Sequence, residues 1–403
     1  MDTHDAEVER QLAVFRRGAT DLIEEQQLRG MLAKSLRENR PLRVKFGMDP
    51  SSADLHLGHA VQLLKLRDVQ DLGHQVVLIV GDATAMVGDP SGRNKLRPVL
   101  TRDEVERNLA TYTDQAARVL DMDRTEVRRN SERFDAMTFE DLLRLTTRMT
   151  VAQMIERDTF QTRMEANEPI GINEFLYPLM QGWDSVQIEA DLELGGTDQL
   201  FNLLVGRRLQ DQEGQRPQIV MTQPLIDGLD GRKMSKSYDN AIGLTASAKD
   251  MTFRVMQIDD EVMPTWFLHL TRLAQDDIDA ALAGHPREAK ARLAAEITTF
   301  FHDAEAARDS AARFDAEVRD KALPDDLPEV AWSADWGASL PLPNLLKEMG
   351  LCGTTSEARR AVQQGGVRID GEVRKDAKDV VDAPSQPRLV QVGKKRAARV
   401  LPG

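Results

Sequence analysis

Apolar residues in PLRVKFGMD (41–49) are spaced as in a buried strand. After a short loop the spacing turns helical from about Leu57 to Leu72, and Gly73 closes that helix. QVVLIVGD (75–82) is then a near-continuous apolar run. Two apolar strands around a helix predict a βαβ unit on a buried parallel sheet. GDPSGRNKLRP (88–98) reads as a polar loop, and helical periodicity dominates 101–120 and much of 137–166. Another helix fits NEFLYPLMQGWDSVQI (173–188), and ADLELGGTDQ (190–199) runs from a strand into a Gly-Gly turn. A helix to about Gln210 and the strand PQIVMTQPL complete the pattern. The fold class expected is α/β, with a Rossmann-like parallel sheet in residues 1–240 and an inserted helical segment at about 120–185.

The texture changes further on. Residues 241–322 are rich in Ala and amphipathic, which predicts an α-helical domain, and PDDLPEVAWSADWGASLPLP reads as a linker over 323–340. The last segment, 341–403, is a small α+β unit. LPNLLKEMGL is a short helix, and Thr354 with Glu357 forms a capping-box signature before EARRAVQQGG. VRIDGEVRKD carries an Asp-Gly hairpin turn, and RLVQVGKKRAARVLP a second, basic hairpin.

Charge adds one point to this map. The chain carries −13 overall, yet residues 341–403 hold 12 Lys/Arg against 7 Asp/Glu. A basic module on an acidic body points to a localised polyanion contact. Cys352 is the single cysteine, which excludes an internal disulfide and a Cys-based zinc site. No run of 18 apolar residues occurs, and MDTHDAEVERQLAVFRRG lacks a secretion-signal core, so a cytoplasmic protein without membrane contact is expected.

Two stretches carry chemistry. In HLGH (56–59) two imidazoles at i and i+3 share one face of a first helical turn, where free N–H groups and the helix dipole suit an anion. Gly58 removes a side chain, so a flat group could approach the backbone. A zinc reading lacks a local third ligand. The second stretch, LDGRKMSKSYDN (229–240), is a loop with two lysines three apart, suited to closing on a polyphosphate. Either alone has an ordinary explanation, as helix histidines or a solvated basic loop; in order along one chain they are specific.

With HLGH and KMSKS in place, the sequence resembles the class I aminoacyl-tRNA synthetases. GMDPSSADLHLGHA, VGDATAMVGDPSG, EFLYPLMQGWDS and LGGTDQLFNLLVGR are similar to blocks of the bacterial tyrosyl-tRNA synthetases, and the tail resembles their S4 RNA-binding domain. The resemblance covers essentially the whole chain. It implies activation of L-tyrosine by ATP to tyrosyl-adenylate and pyrophosphate, then transfer to the 3′ end of tRNA-Tyr. Mg2+ would accompany ATP, with no permanently bound cofactor and no dedicated metal site. It implies a homodimer, with the inserted segment as interface.

The same resemblance assigns residues. His56, His59, Ser51, Lys233, Lys236, Arg93 and Arg97 would act on the phosphates. Gly58, Gly195, Gly196, Asp198, Lys236 and Ser237 would hold ATP. Tyr177, Gln181 and Asp89 would hold the substrate amino group, Asp184 the phenol and Gln199 the carboxylate side, with Asp49 and Thr84 also in the tyrosine site. Arg359, Arg360, Arg368, Lys394, Lys395 and Arg396 would contact RNA. Lys45 departs from the pattern, because many relatives have a tyrosine there that touches the phenol; whether the lysine takes over that contact stays open. The alternatives are a tryptophanyl enzyme, a small-molecule adenylyltransferase and a non-catalytic S4-type RNA-binding paralogue. The S4-like tail and Asp184 disfavour the first, chain length the second, and the intact HLGH and KMSKS the third.

Overall fold

The computed structural model describes residues 3–50, 54–91, 100–319, 327–393 and 396–403. The chain divides into two compact units, Met1–Ala307 and Arg308–Gly403.

The first unit is built on a six-stranded sheet. Its strands are β1 (Asp21–Ile23), β2 (Arg43–Met48), β3 (Gln75–Val80), β4 (Thr125–Arg129), β5 (Leu192–Gly196) and β6 (Ile219–Gln223). They lie in the order β1-β6-β5-β2-β3-β4, and only β1 runs antiparallel to its neighbour. VVLIV in β3 and IVMTQ in β6 are buried throughout, as strands covered on both faces must be. From β2 the chain moves outward through β3 to β4, then returns to the other side for β5 and β6. The order therefore reverses between β2 and β5, and the crevice at their C-terminal ends is where such sheets bind ligands.

Helix Leu57–Asp71 buries residues on nearly every side, including Leu57, Ala60, Leu63, Leu66 and Val69. It is an interior helix, and its weak amphipathic pattern has that cause. Helices Ala248–Val255, Met263–Leu270 and Pro286–Phe301 add Met251, Trp266, Phe267, Leu293 and Ile297 to the same core as the sheet. Each fully buried large side chain there stabilises by roughly 1.5–3 kcal/mol.

Within 120–185 the structure places the edge strand β4 before the helices. The helical stretch expected over 137–166 is three short helices, Phe139–Thr146, Val151–Ile155 and Asp158–Glu165. Thr138 and Thr150 explain two of the starts. Each accepts from the backbone three residues on, and Asp141 and Gln153 reach back to complete a capping box.

In the second unit, β7 (Glu329–Ala331), β9 (Val367–Ile369), β10 (Glu372–Arg374), β12 (Arg388–Val392) and β13 (Arg396–Leu401) form one sheet. β8 (Ser339–Pro341) and β11 (Val380–Asp382) form a pair. Asp370 and Gly371 make the two-residue hairpin loop, both with positive φ, as the sequence suggested. The stretch expected as linker differs from residue 327 on. It supplies β7 and β8 and buries Trp332 among Leu342, Leu345, Val390 and Val400. A tryptophan in an otherwise polar stretch was the signal, since its large apolar surface favours burial.

Candidate active site

The crevice between β2 and β5 collects most of the expected residues. His56 is the N-cap of helix Leu57–Asp71, and its Nδ1 accepts from Gly58 N–H at 3.1 Å. His59 Nδ1 accepts from His56 N–H at 3.2 Å, so the two histidines form a reciprocal cap with ring centroids 4.0 Å apart. Burial, first of all, and the nearby Lys233 and Lys236 depress both imidazoles, His56 to about 3 and His59 to about 4. Each is neutral near pH 7 with Nδ1 used as acceptor, so each carries its proton on Nε2 as a free donor. Gly58 has a local reason as well: a Cβ there would stand 2.9 Å from His56 Cε1. The glycine is what lets the histidine fold back onto its own helix.

The KMSKS loop is tied to this turn. Met234 is buried, and its Sδ accepts from Gly58 N–H at 3.1 Å. Leu57 N–H donates to Ile242 O, and Leu244 N–H to Leu55 O. Asn240 fixes the loop from beneath. It is fully buried, accepts from Ser235 N–H at 2.8 Å and donates to the carbonyls of Arg232 and Lys233. Lys233 meets Asp198, two residues past the end of β5, at 3.4 Å, and Lys236 meets Asp54, two residues before His56. Ser237 is exposed beside Ser235. Gly195 and Gly196 end β5. A Cβ on Gly195 would approach Gln199 to 3.0 Å, and one on Gly196 would approach Asp198 Oδ1 to 2.7 Å, so their absence lets both side chains lie against the strand end.

A second cluster lies beside it. Helix Leu176–Gln187 turns Tyr177, Gln181 and Asp184 to one side, with Tyr177 and Asp184 buried. Tyr177 O–H donates to Asp49 Oδ2 at 2.7 Å, and Asp49 Oδ1 accepts from Thr84 Oγ1 at 2.8 Å. The phenol oxygen of Tyr177 thus keeps its lone pairs for another donor. Gln181 donates to Glu193 at 3.1 Å and accepts from Asn202 at 3.0 Å. Gln199 donates to Asp89 at 2.8 Å. Burial raises Asp184 to about 7, against the pull of Lys45 and of a 3.2 Å hydrogen bond from Asn130.

Lys45 is fully buried with its donors engaged. Nζ lies 2.8 Å from Glu193 Oε1, its direct neighbour across β2 and β5, and 2.7 Å from both Gln181 O and Ser185 Oγ. An ammonium has three N–H bonds. These partners use all of them, so Lys45 organises the pocket wall.

In the second unit, Arg359 and Arg360 on helix Thr355–Gln363, Arg368 on β9 and Arg396 on β13 are exposed. They do not form one patch. Val367 and Ile369 face the helix within the core, so alternation turns Arg368 to the opposite sheet face. Arg396 reaches the helix and pairs with Glu357 at 2.7 Å. Ser51, Arg93, Arg97, Lys394 and Lys395 lie outside the described residues. Among the described residues no group of three or more His, Cys, Asp or Glu is placed to hold a metal ion, and no helix is long and apolar enough to cross a membrane.

Sequence reasoning missed Glu193, Ser185, Asn130, Asn202 and Asn240. Glu193, Ser185 and Asn202 are polar residues inside elements that the pattern marks as apolar, and that mismatch was the available signal; Asn130 and Asn240 lie in stretches without such a pattern and carried none.

Comparison with known proteins follows the same division. A family model described as tRNA synthetases class I (W and Y) matches residues 37–318, and one described as S4 domain matches 340–385. A tyrosine–tRNA ligase of Bordetella avium is 48% identical over 400 residues, covering 98% of this chain and 97% of its own length. One from Thermotoga maritima is 47% identical over 402 residues, covering 98% of each. Among solved structures, the chain resembles a C-terminally truncated mitochondrial tyrosyl-tRNA synthetase of Aspergillus nidulans. The TM-score is 0.62 at 22% identity, over 77% of this chain and 93% of that one. It also resembles the Archaeoglobus fulgidus tyrosyl-tRNA synthetase complexed with L-tyrosine, with TM-score 0.60 at 20% identity over 75% and 99%.

Proposed function

The chain belongs to the tyrosine–tRNA ligases, class I synthetases that carry an S4 domain, and from that premise we propose which of its residues perform the two steps. In the first, a tyrosine carboxylate oxygen attacks the α-phosphorus of ATP, and the bond to the departing pyrophosphate breaks. In the second, a hydroxyl of the terminal adenosine of the tRNA attacks the activated carbonyl and AMP leaves. The substrate supplies its own nucleophile, so the protein works by positioning and by stabilising charge on the phosphates.

The observation that carries the assignment is the contact of Gly58 with Met234, which joins the two motifs at the switch point. His56 and His59 donate Nε2–H to phosphate oxygens. Lys233 and Lys236 exchange Asp198 and Asp54 for pyrophosphate, and Ser51, Arg93 and Arg97 add donors to it. Gly58, Gly195, Gly196, Asp198 and Ser237 hold the nucleoside and its phosphates, and Mg2+ enters bound to ATP.

Asp89, the lone pairs of Tyr177 and the oxygen of Gln181 are all acceptors, which suits the substrate ammonium. Gln199 faces the carboxylate side, and Asp49 and Thr84 brace Tyr177. Asp184, which already accepts from Asn130, accepts the phenol O–H as well, and phenylalanine would remove that second donor from a buried carboxylate. Arg359, Arg360, Arg368 and Arg396, with Lys394 and Lys395, bind tRNA backbone. A cytosolic location fits an enzyme acting on tRNA.

A homodimer is part of the same proposal. Phe139, Leu143, Val151, Met164 and Ile172 are exposed large apolar residues within a span of 34 positions in the inserted segment, and such a concentration suits a partner copy. The deciding experiment is ATP–pyrophosphate exchange with tyrosine, phenylalanine and tryptophan offered separately. Exchange with tyrosine alone is expected; exchange with tryptophan would overturn the role given to Asp184.

A further inference from the structure

Arg157 is buried and has no part in the roles above. It precedes helix Asp158–Glu165, and its guanidinium lies near the rings of Phe160 and Phe201, with Cζ 5.6 and 5.7 Å from their centroids. Nη1 donates to Asn202 Oδ1 at 3.1 Å. Among the described residues Nη2 has no hydrogen-bond acceptor, and it stands 3.7 Å from Asp89 Oδ1. Asn202 is fully buried. With its oxygen turned to Arg157, its Nδ2 donates to Gln181 Oε1 at 3.0 Å and to Gln199 Oε1 at 2.9 Å. The two glutamines donate onward, Gln181 to Glu193 and Gln199 to Asp89.

By shape alone a side-chain amide fits either way round; its partners decide which end is oxygen. Arginine offers only donors, and an ionised carboxylate only acceptors. The chain of amides therefore runs from a fixed donor to fixed acceptors, and Asn202 joins the ends. We propose that Arg157 and Asn202 are positioning residues that set the polarity of this amide chain, so that the pocket meets the α-ammonium of tyrosine with acceptors. The inference rests on the reading that Asp89, Tyr177 and Gln181 hold that ammonium.

Charge alone argues the other way. Arg157 is a cation beside the ammonium pocket and repels the substrate's positive charge. Orientation and repulsion thus predict opposite effects when the network is altered, and that opposition makes the test decisive.

Tyramine and 4-ethylphenol differ only in the ammonium group. Their inhibition constants against tyrosine-dependent ATP–pyrophosphate exchange by the full chain give a ratio that reports ammonium recognition. Arg157→Met places an unbranched side chain near the same two rings without a donor. Asn202→Asp keeps a partner for Arg157 but cannot donate to either glutamine. Both variants make the pocket more negative, so charge alone predicts a larger preference for tyramine. Amide polarity predicts a preference smaller by roughly tenfold or more, the scale of a hydrogen bond to a charged group. Arg157→Lys, still a pure donor, is expected to keep most of it.

A wild-type chain with no preference for tyramine would remove the ammonium reading itself. A wild-type preference that both variants keep or increase would overturn the role of Arg157 and Asn202 and leave that reading standing. Asn202→Asp retains the buried charge pairing, so it decides the point even where Arg157→Met does not fold.

Discussion

Lys45→Met removes one half of an ion pair in which both side chains are fully buried. Glu193 would keep its hydrogen bonds from Gln181, Ser185 and Gln218 but lose the one cation paired with it among the described residues. Stranding a buried charge in this way costs about 3–5 kcal/mol. With a urea dependence near the upper end for single units, about 3 kcal/mol per molar, the transition of the first unit should move down by roughly 1–1.7 M. Lys45→Met combined with Glu193→Gln leaves no charge to strand. With its oxygen in place of Oε2 the amide still accepts from Ser185 and Gln218, so the double variant should recover much of the loss. Urea unfolding of the full chain, followed by circular dichroism, measures Lys45→Met, Glu193→Gln and the double variant. If the double variant falls by the sum of the single effects, the two residues are not coupled and the account of this wall is wrong. The same double variant addresses the phenol. Because the donors of Lys45 are engaged by protein, selectivity for tyrosine over phenylalanine should survive in it, and a collapse of selectivity in a stable double variant would place Lys45 on the substrate.

Other expectations are briefer. His59→Ala should slow adenylate formation by about a hundredfold or more, the scale of one lost donor to developing charge, while tyrosine affinity stays near wild type; single-turnover activation measures both. Tyrosine affinity should weaken as pH falls through about 7, where Asp184 gains a proton, and Asp184→Asn should abolish that dependence in a titration by calorimetry. His74 and His269 are buried and lowered to about 4. The unfolded chain binds protons on them first, so their stabilisation is complete above about 6.5 and is lost as pH falls to about 4. His74→Gln should flatten that acid limb in thermal melts. Arg359→Glu with Arg360→Glu should weaken tRNA charging and reduce its salt dependence, leaving pyrophosphate exchange unchanged. Phe139→Glu with Ile172→Glu should give monomers in sedimentation.

The sequence by itself settled what local pattern and short motifs can carry. Apolar runs marked β2, β3 and β6, the period of 173–188 put Tyr177, Gln181 and Asp184 on one side, and HLGH announced a helix start that the structure shows as a reciprocal histidine cap. Asp370-Gly371 specified its own hairpin. The tail's basic charge was legible, but its split over two sheet faces was not, because charge counting ignores the strand period that turns Arg368 away from the helix.

Only the tertiary structure decided the partners of buried polar groups. Lys45 and Glu193 stand 148 positions apart and meet because the sheet order places β2 against β5. Tyr177 finds Asp49, Asn130 finds Asp184, and Arg157 finds Asn202 for the same kind of reason. Periodicity tells which side of an element is buried, but not what lies opposite. A buried donor or acceptor must be satisfied by whatever the fold brings within about 3 Å, and that is a property of the assembled sheet and helices, not of the segment that carries the residue.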